Sequence, residues 1–370
     1  MSDEFRIPPT VVTGWRCLEE LGRLAAPLGR KALLVTGSRA MKKTGLANRT
    51  LGLLKAAGLE TEMFDRVERE PDVTTADEAR AFAHEVGAEV VIGLGGGSAL
   101  DLGKVVAGLY NETAATTRFF TEQKVETMGL PFVAVPTTSG TGSEAGINGV
   151  ICDRARKIKA SIRDGRFMPM AAVVDPELTV PCPAEVTATA GLDALTQAIE
   201  SYISIHATPL TEALSIRAAL DLATSVERAF REPENQVART RASYGSLMAG
   251  MALGNARLGV IHGIVHPLGV RYDIPHGLAC GVLLPVALGY NRSACGTKYA
   301  VLSSIFGGDA AEFTRGLLER MKLPADFKSF GVRAKDFEVI AEESMPSGSL
   351  KANPRKVTKE DVVEMLRKVC

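Results

Sequence analysis

The chain has 370 residues, 46% of them hydrophobic, and its 43 lysines and arginines balance 43 aspartates and glutamates. This length and composition indicate about two globular domains with sizeable cores. The zero net charge argues against a nucleic-acid binder, because neutralising phosphates requires clustered cations. The polar N-terminus lacks the pattern of a secretory signal, and no apolar run is long enough to span a membrane. We therefore expect a cytoplasmic protein.

The cysteines are scattered along the chain without C-x-x-C spacing. In a chain of this size, this pattern is typical of reduced, packed thiols. We therefore do not expect a thiolate metal site.

The first half of the chain alternates apolar strands with amphipathic helices. The strands are predicted at Lys31–Gly37, 60–64, 88–94 and Phe132–Pro136. One helical pattern begins after Gly45, and another covers residues 75–86, with Thr74 or Thr75 as its cap. This alternation predicts an α/β domain over residues 1–182, with helices on both faces of a parallel sheet.

The second half is rich in alanine and leucine and has helical periodicity. Helices are predicted at Ala184–Ile203, 210–230, 237–256 and 310–321, and residues 346–356 are predicted to form a surface loop before a last helix. Residues 183–370 are therefore expected to form an all-α domain, with the boundary near residues 181–183.

Two glycine-containing loops follow predicted strands. Residues 93–104 read GLGGGSALDLGK, a buried strand that runs into glycines and then a helix. Glycines allow close backbone approach, and helix N-termini attract anions, so this loop suits a pyrophosphate, although an ordinary strand–helix turn would look similar. Residues 136–144 read PTTSGTGSE and offer several hydroxyl donors after the next strand. Neighbouring strand ends in an open α/β sheet form one ligand crevice.

Three of the five histidines lie in one short segment, HGIVHPLGVRYDIPH. His262 and His266 are four residues apart and share a helix face, and His276 follows a proline that suits the start of another helix. Upstream, Asp193 and Gln197 are also four residues apart in a helical segment. One carboxylate, one amide oxygen and two or three imidazoles can converge on a divalent metal, although histidines packed in a helical core are the alternative.

Taken together, four segments resemble the iron-containing (group III) alcohol dehydrogenases. They read GGGSALDLGK, PTTSGTGSE, GLDALTQAIESY and HGIVHPLGVRYDIPHG, and the resemblance covers nearly the whole chain. It implies the dehydroquinate synthase-like superfold, in which a Rossmann-like dinucleotide-binding domain precedes an all-helical metal-binding domain. It also implies reversible hydride transfer between a small alcohol or aldehyde and a nicotinamide, and a homodimer or larger homo-oligomer.

The resemblance implies roles for particular residues. The cofactor would be held by Gly95, Gly96, Gly97, Ser98, Asp101, Thr137, Thr138, Ser139, Thr141, Ser143, Asn148 and Lys159. The metal would be held by Asp193, His262 and His276, and His266 is expected to relay the alcohol proton. Asp101 is expected to lie near the pyrophosphate and, with His266, to be a catalytic residue.

One departure concerns the metal, because Gln197 stands where the family pattern has histidine. An amide oxygen is a weaker and harder ligand than imidazole. Gln197 is therefore either a fourth ligand that alters metal preference or leaves a three-ligand site, as in glycerol dehydrogenases. The candidate metals are Fe²⁺ and Zn²⁺, followed by Mn²⁺. Three alternatives remain: a metal-free reductase resembling maleylacetate reductases, a catalytically impaired relative, and a dehydroquinate synthase-like lyase.

The second departure concerns the nucleotide. NAD-preferring members often carry an acidic residue after the first strand of the nucleotide domain, but this chain has Gly37, Ser38 and Arg39 there. Without a carboxylate to repel a 2′-phosphate, Ser38, Arg39, Lys42 or Lys43 can donate to it. The sequence thus predicts NADP(H) in preference to NAD(H), although these basic residues are also typical of a solvated helix start.

Overall fold

The computed structural model describes residues 4–120, 123–156 and 158–370. Contacts divide the chain into an α/β unit, Ile7–Cys182, and a helical unit, Pro183–Cys370 together with residues 4–6. Within the described part of the chain, no helix combines the length and the apolar character needed to cross a bilayer.

The α/β unit is built on a six-stranded parallel sheet with the order β1-β8-β5-β4-β2-β3. Its strands are β1 (Thr10–Thr13), β2 (Lys31–Gly37), β3 (Glu60–Val67), β4 (Val90–Gly95), β5 (Phe132–Pro136) and β8 (Ala171–Val174). The central strands β4 and β5 are buried along their whole length, as expected for a parallel sheet covered on both faces. The predicted Rossmann-like architecture is therefore confirmed.

The helices of this unit are α1 (Leu21–Ala25), α2 (Ala40–Lys43), α3 (Leu46–Ala56), α4 (Val73–Glu85) and α5 (Gly97–Gly108). The predicted cap of α4 is wrong by two or three residues. Asp72 is the cap, and its side chain accepts a hydrogen bond from the Thr75 N–H at 2.8 Å. An aspartate at this position competes well with threonine because its carboxylate also interacts favourably with the helix dipole.

An antiparallel ribbon that we did not predict follows β5. It consists of β6 (Asn148–Asp153) and β7 (Ile158–Arg163), and residue 157 between them lies outside the described residues. Both strands mix polar and apolar residues, so their periodicity is weaker than that of the buried parallel strands.

The helical unit contains α6 (Ala184–Ile203), α7 (Pro209–Arg231), α8 (Gln236–Ala256), α9 (Val260–Tyr272), α10 (His276–Cys295), α11 (Thr297–Phe306), α12 (Ala310–Arg320), α13 (Phe337–Ser344) and α14 (Lys359–Lys368). The all-helical prediction is confirmed. Helices α6 and α10 are buried along most of their length and form the centre of one apolar core. Helices that are apolar on nearly every face are typical of such a central position.

Two glycines allow α5 to pack closely against the sheet. Gly93 lies on β4 and Gly103 lies on α5, and the ring of Phe132 occupies the space beside both. A Cβ atom added at Gly103 would lie 2.7 Å from a ring carbon of Phe132. This packing positions the N-terminal end of α5 directly after β4.

We predict that Gly103→Ala destabilises the α/β unit although alanine is the better helix former. The added methyl overpacks the Phe132 contact, at a cost of about 1–3 kcal/mol. Gly52→Ala is a matched control, because Gly52 also lies within a helix but a Cβ there meets no atom within 4 Å. Thermal unfolding should show a lower Tm for Gly103→Ala and an equal or higher Tm for Gly52→Ala. Equal melting temperatures for both variants would show that a methyl group at position 103 does not overpack the Phe132 contact.

Candidate functional site

Helix α6 carries three polar side chains into the core of the helical unit. Asp193, Gln197 and Glu200 are spaced four and then three residues apart, so they share one face of the helix. Their exposed fractions are 4%, 4% and 2%. Burying two carboxylates in an apolar core is costly unless hydrogen bonds or cations compensate them. The compensation comes from α9 and α10.

The N-terminus of α9 is bound by buried acceptors. The Glu200 Oε1 atom accepts a hydrogen bond from the Ile261 N–H at 2.6 Å, and Asn353 Oδ1 accepts from the Val260 N–H at 3.2 Å. Gly259 precedes the helix, and a Cβ there would lie 2.9 Å from Glu200 Oε1. Only glycine therefore allows the helix to begin this close to the carboxylate, which also interacts favourably with the helix dipole.

The same carboxylate orients His262. The His262 Nδ1 atom lies 2.7 Å from Glu200 Oε2, and its Nε2 atom lies 3.2 Å from Asp193 Oδ1. Because a carboxylate accepts, Nδ1–H is the donor to Glu200, and the Nε2 lone pair then faces Asp193. Two acceptors at this distance require either a proton or a metal ion between them. A histidine with its second nitrogen held by a carboxylate is the usual arrangement for a metal ligand.

His276 reaches the same carboxylate from α10. Pro275 ends the preceding loop and His276 is the first residue of the helix, as predicted. A Cβ atom on Gly277 would lie 1.9 Å from the Thr189 carbonyl oxygen, so glycine is required for α10 to approach α6 this closely. The His276 Nε2 atom lies 3.7 Å from Asp193 Oδ1.

A thiol joins the cluster, contrary to the expectation from the scattered cysteines. Cys280 lies one turn beyond His276, and its Sγ atom is 3.7 Å from Asp193 Oδ1 and 3.9 Å from His262 Nε2. Ligand atoms of Asp193, His262, His276 and Cys280 all lie within 4.8 Å of one another. Burial raises the pKa of the Cys280 thiol to about 12.

Gln197 contacts the cluster through its amide group. It hydrogen-bonds to the Asp193 carboxylate, which can only accept, so the amide NH₂ is the donor. Its Oε1 atom is buried and has no hydrogen-bond partner among the described residues. Burial alone would raise the pKa of Asp193, but His276, His262 and Gln197 together outweigh burial and lower it to about 2. The cluster thus favours an ionised carboxylate.

His266 lies beside these residues on α9, one turn beyond His262. It is half-buried, and its ring centroid is 5.6 Å from that of His276. The structure therefore brings together all the histidines of the short segment singled out in the sequence.

The two glycine-containing loops of the α/β unit contact each other. Gly95 has a φ of 151°, and the Thr137 N–H donates to its carbonyl oxygen at 2.9 Å. A Cβ on Gly97 would lie 2.6 Å from the Thr141 side chain. Helix α5 begins at Gly97 after Gly96, which has no side chain to cap the helix. The first N–H groups of α5 therefore lie beside the hydroxyl-rich stretch 137–143, which includes Thr138 and Ser139.

Asp101 is partly buried and is held by the residues of these loops. Its Oδ1 accepts the Ser143 hydroxyl at 2.6 Å, and the buried Lys104 ammonium lies 3.7 Å away. Lys104 also donates to the carbonyl oxygens of Ser143 and Gly146, at 2.9 and 3.3 Å. Burial raises the pKa of the neighbouring Glu144 to about 7. Sequence reasoning missed Lys104, although its spacing of three residues from Asp101 on one helix was visible.

Asn148 and Lys159 lie on the ribbon. Lys159 on β7 is opposite Cys152 on β6, and Cys152 follows Asn148 by four residues. Because side chains alternate between the two faces of a strand, Asn148 and Lys159 lie on one face of the ribbon, about 13 Å apart along the strands. The Lys159 ammonium is 2.7 Å from Glu70 Oε1, and the Glu70 N–H donates to Ser98 Oγ at 3.3 Å.

Strand β2 ends at Gly37, and the exposed Ser38 and Arg39 follow it. Asp65, at the end of the neighbouring β3, is paired with Lys42. A Cβ on Gly37 would meet only the Val67 carbonyl oxygen, at 3.7 Å, so this position tolerates a side chain.

The chain matches two family models, Iron-containing alcohol dehydrogenase over residues 8–176 and Fe-containing alcohol dehydrogenase family, C-terminal, over residues 187–370. It is 35% identical to a 1,3-propanediol dehydrogenase of Klebsiella pneumoniae, with 98% of each chain covered. It is 31% identical to an NAD-dependent methanol dehydrogenase of Bacillus methanolicus, again over 98% of each. The solved structure of an alcohol dehydrogenase from Oenococcus oeni has a TM-score of 0.96 at 31% identity and covers 100% of both chains.

We predict that Glu200→Gln weakens metal binding without removing any ligand. A glutamine cannot stabilise the Nδ1–H of His262 with a full charge, and such replacements cost about 10–100-fold in affinity. Glu185→Gln, at an exposed position of the same helix, is the matched control. Competition of each protein with a chelator for Zn²⁺ gives the affinities. Equal affinities of Glu200→Gln and the control would show that Glu200 does not support the site.

Proposed function

Because the chain belongs to the iron-containing alcohol dehydrogenase family, we propose that it is a metal-dependent, NADP(H)-linked dehydrogenase of small primary alcohols that also reduces the corresponding aldehydes. The observation that carries this proposal is the convergence of Asp193, His262 and His276 from α6, α9 and α10 inside the helical unit. These donor types suit a first-row divalent metal.

The donor atoms fit such an ion. The His262 Nε2 atom faces Asp193 Oδ1, so one cation can lie between these two atoms. Glu200 binds Nδ1–H and so fixes the His262 tautomer whose Nε2 lone pair can bind a metal. When bound, the metal supplies a Lewis acid for the substrate oxygen. Asp193 provides an ionised ligand, and the Gln197 amide holds the Asp193 carboxylate in position.

His266 is the residue that we propose for moving the alcohol proton. It lies next to His276 and remains half-buried, whereas the proposed ligand His262 is fully engaged with carboxylates. Imidazole is the side chain used most often for general acid–base catalysis, and a partly accessible imidazole can exchange its proton with solvent.

The nucleotide is proposed to bind the loops at the ends of β4 and β5. The N-terminus of α5 and the backbone at Gly95–Gly97 suit a pyrophosphate, because unpaired N–H groups and the helix dipole favour anions. The hydroxyl groups of the stretch 137–143 adjoin this backbone. Asn148 and Lys159 share a face of the ribbon and are proposed to contact the nicotinamide half. Asp101 is proposed to keep Ser143 and its loop in place.

Two alternatives make different demands on the cluster. A metal-free reductase or an impaired relative would have to keep Asp193, Glu200 and His262 buried without a metal ion between His262 Nε2 and the Asp193 carboxylate. A protonated imidazole is the only other source of positive charge in this cluster of donors. The arrangement therefore favours the metal-dependent enzyme.

The central test is aldehyde reduction by metal-loaded protein. We expect NADPH oxidation with a panel of small aldehydes, and loss of both bound metal and activity in His262→Ala, by at least about 100-fold in kcat/KM. His206→Ala, an exposed histidine of the same unit, should behave like the wild type. If metal-stripped wild type and His262→Ala keep activity within a few-fold, the metal-free reductase is correct. If the metal-loaded wild type is inactive as well, the chain is a catalytically impaired relative.

The preference for NADP(H) is proposed from the residues that follow β2. No carboxylate occupies positions 37–39, and the nearby Asp65 is paired with Lys42. A 2′-phosphate placed there meets Arg39 and the Ser38 hydroxyl instead of a negative charge. Family membership does not decide the nucleotide, since the methanol dehydrogenase relative is NAD-dependent by name.

Gly37→Asp should reverse this preference. The position accepts a Cβ without a close contact, and an aspartate there would repel a 2′-phosphate and accept a ribose hydroxyl. We expect the ratio of kcat/KM for NADPH to that for NADH to fall at least about tenfold, a change of about 1.4 kcal/mol. Gly37→Asn has nearly the same shape without the charge and should shift the ratio far less. A wild type that prefers NADH tenfold would overturn the proposal.

A further inference from the structure

We propose that the Cys280 thiolate is the fourth protein ligand of this metal site, and that zinc is the metal it selects. This inference rests on the metal-dependent function proposed above and specifies its ligand set. The ligands are then Asp193, His262, His276 and Cys280, and Gln197 stays outside the set.

Four separations between the donor atoms are close to those around one tetrahedral ion, and all the donor atoms lie within 4.8 Å of one another. With bond lengths of roughly 2.0–2.1 Å to nitrogen and oxygen and 2.3 Å to sulfur, tetrahedral ligands lie about 3.3 Å apart, or about 3.6 Å where one is sulfur. The distance between His262 Nε2 and Asp193 Oδ1 is 3.2 Å, and that between His276 Nε2 and the same oxygen is 3.7 Å. Cys280 Sγ lies 3.7 Å from Asp193 Oδ1 and 3.9 Å from His262 Nε2. The thiol thus lies close to the position that a fourth ligand would take.

Helix geometry explains how a cysteine can take this place. Cys280 follows His276 by four residues on α10, so both side chains face α6 one turn apart. Asp193 and Gln197 have the same spacing on α6, where the resemblance to the family implies a histidine at position 197. The chain therefore lacks an imidazole on α6 and has a soft donor directly opposite, on α10.

Gln197 is oriented as a support and not as a ligand. Its amide nitrogen is directed at the Asp193 carboxylate, and an amide NH₂ has no lone pair to give to a metal. The one atom of this side chain that could coordinate a metal is Oε1, which has no hydrogen-bond partner among the described residues. Turning Oε1 toward the site would remove the hydrogen bond that Asp193 receives.

Binding of the ion by the thiol is a simple exchange. The sulfur–metal bond forms as the S–H bond breaks, and the proton leaves to solvent without any change in oxidation state. A divalent cation deprotonates a coordinating thiol outright. Thiolate ligation favours zinc over the harder ions, and a site with a carboxylate, two imidazoles and a thiolate suits its tetrahedral preference.

The test is the sulfur signature of the loaded wild-type protein. X-ray absorption of the zinc-loaded enzyme should require one sulfur neighbour at about 2.3 Å, in addition to nitrogen and oxygen neighbours. The cobalt-substituted enzyme should show a sulfur-to-cobalt charge-transfer band in the near ultraviolet. Both measurements use the wild type, so they do not depend on the folding of a variant.

Variants then identify the sulfur. Cys280→Ser should abolish the charge-transfer band and weaken Zn²⁺ binding by at least about tenfold. Cys295→Ser, a buried cysteine on the same helix, and Gln197→Ala should both keep the band. A loaded wild type without a sulfur neighbour, or a Cys280→Ser variant that keeps the band, overturns the inference.

Parallel activity measurements separate this inference from the proposed function. An active, metal-loaded wild type with only nitrogen and oxygen neighbours refutes Cys280 as a ligand and leaves the metal-dependent function intact. A wild type that binds neither zinc nor cobalt refutes both.

Discussion

The buried carboxylate of Glu200 is the interaction on which the metal cluster depends. One of its oxygens accepts the Ile261 N–H and the other accepts the His262 ring N–H, so a single group both starts α9 and orients the imidazole. A helix N-terminus and an imidazole N–H together compensate a charge that would otherwise be costly to bury. The direction of the His262 lone pair toward Asp193 follows from this arrangement.

Two glycines make that arrangement possible. Gly259 allows α9 to begin against Glu200, and Gly277 allows α10 to lie against the Thr189 carbonyl of α6. At Gly277 a Cβ atom would meet backbone, and at Gly259 it would meet a buried carboxylate that is held by hydrogen bonds to α9. The backbones of α9 and α10 thus lie close to α6. For this reason, side chains from the three helices meet within a few ångströms. Interiors packed in this way resist small displacements, which is what a site of defined geometry requires.

Periodicity and spacing predicted much of this molecule. The bounds of β2, β5 and α6 agree with the prediction, because each is a strongly apolar segment with a glycine or proline at or next to one end. His262 and His276 could be singled out because histidines are rare in the chain and these lie close in sequence. The turn at Gly95–Gly97 between β4 and α5 could be predicted because an apolar strand runs into a glycine run and then a helical pattern. Elements with weak patterns were missed, as the ribbon of β6 and β7 shows.

What could not be predicted depends on contacts between distant segments. Glu200 follows Gln197 by three residues, but only the folded position of α9 shows that its carboxylate binds His262. Cys280 has no partner cysteine in sequence, and the thiol becomes a candidate ligand only because α10 packs against α6. The Asp72 cap was missed for a local reason, since several residues that can cap a helix occur together there. Spacing alone therefore identified donor types but not the complete set that converges.

If donors from α6, α9 and α10 hold one metal ion, anomalous diffraction at the zinc absorption edge from crystals of zinc-loaded protein will locate it. We expect a single strong peak per chain within about 2.0–2.3 Å of the donor atoms of Asp193, His262 and His276. An anomalous map without a peak among these side chains, with His262 Nε2 still facing the Asp193 carboxylate, would contradict it, because a proton would then bridge the two acceptors.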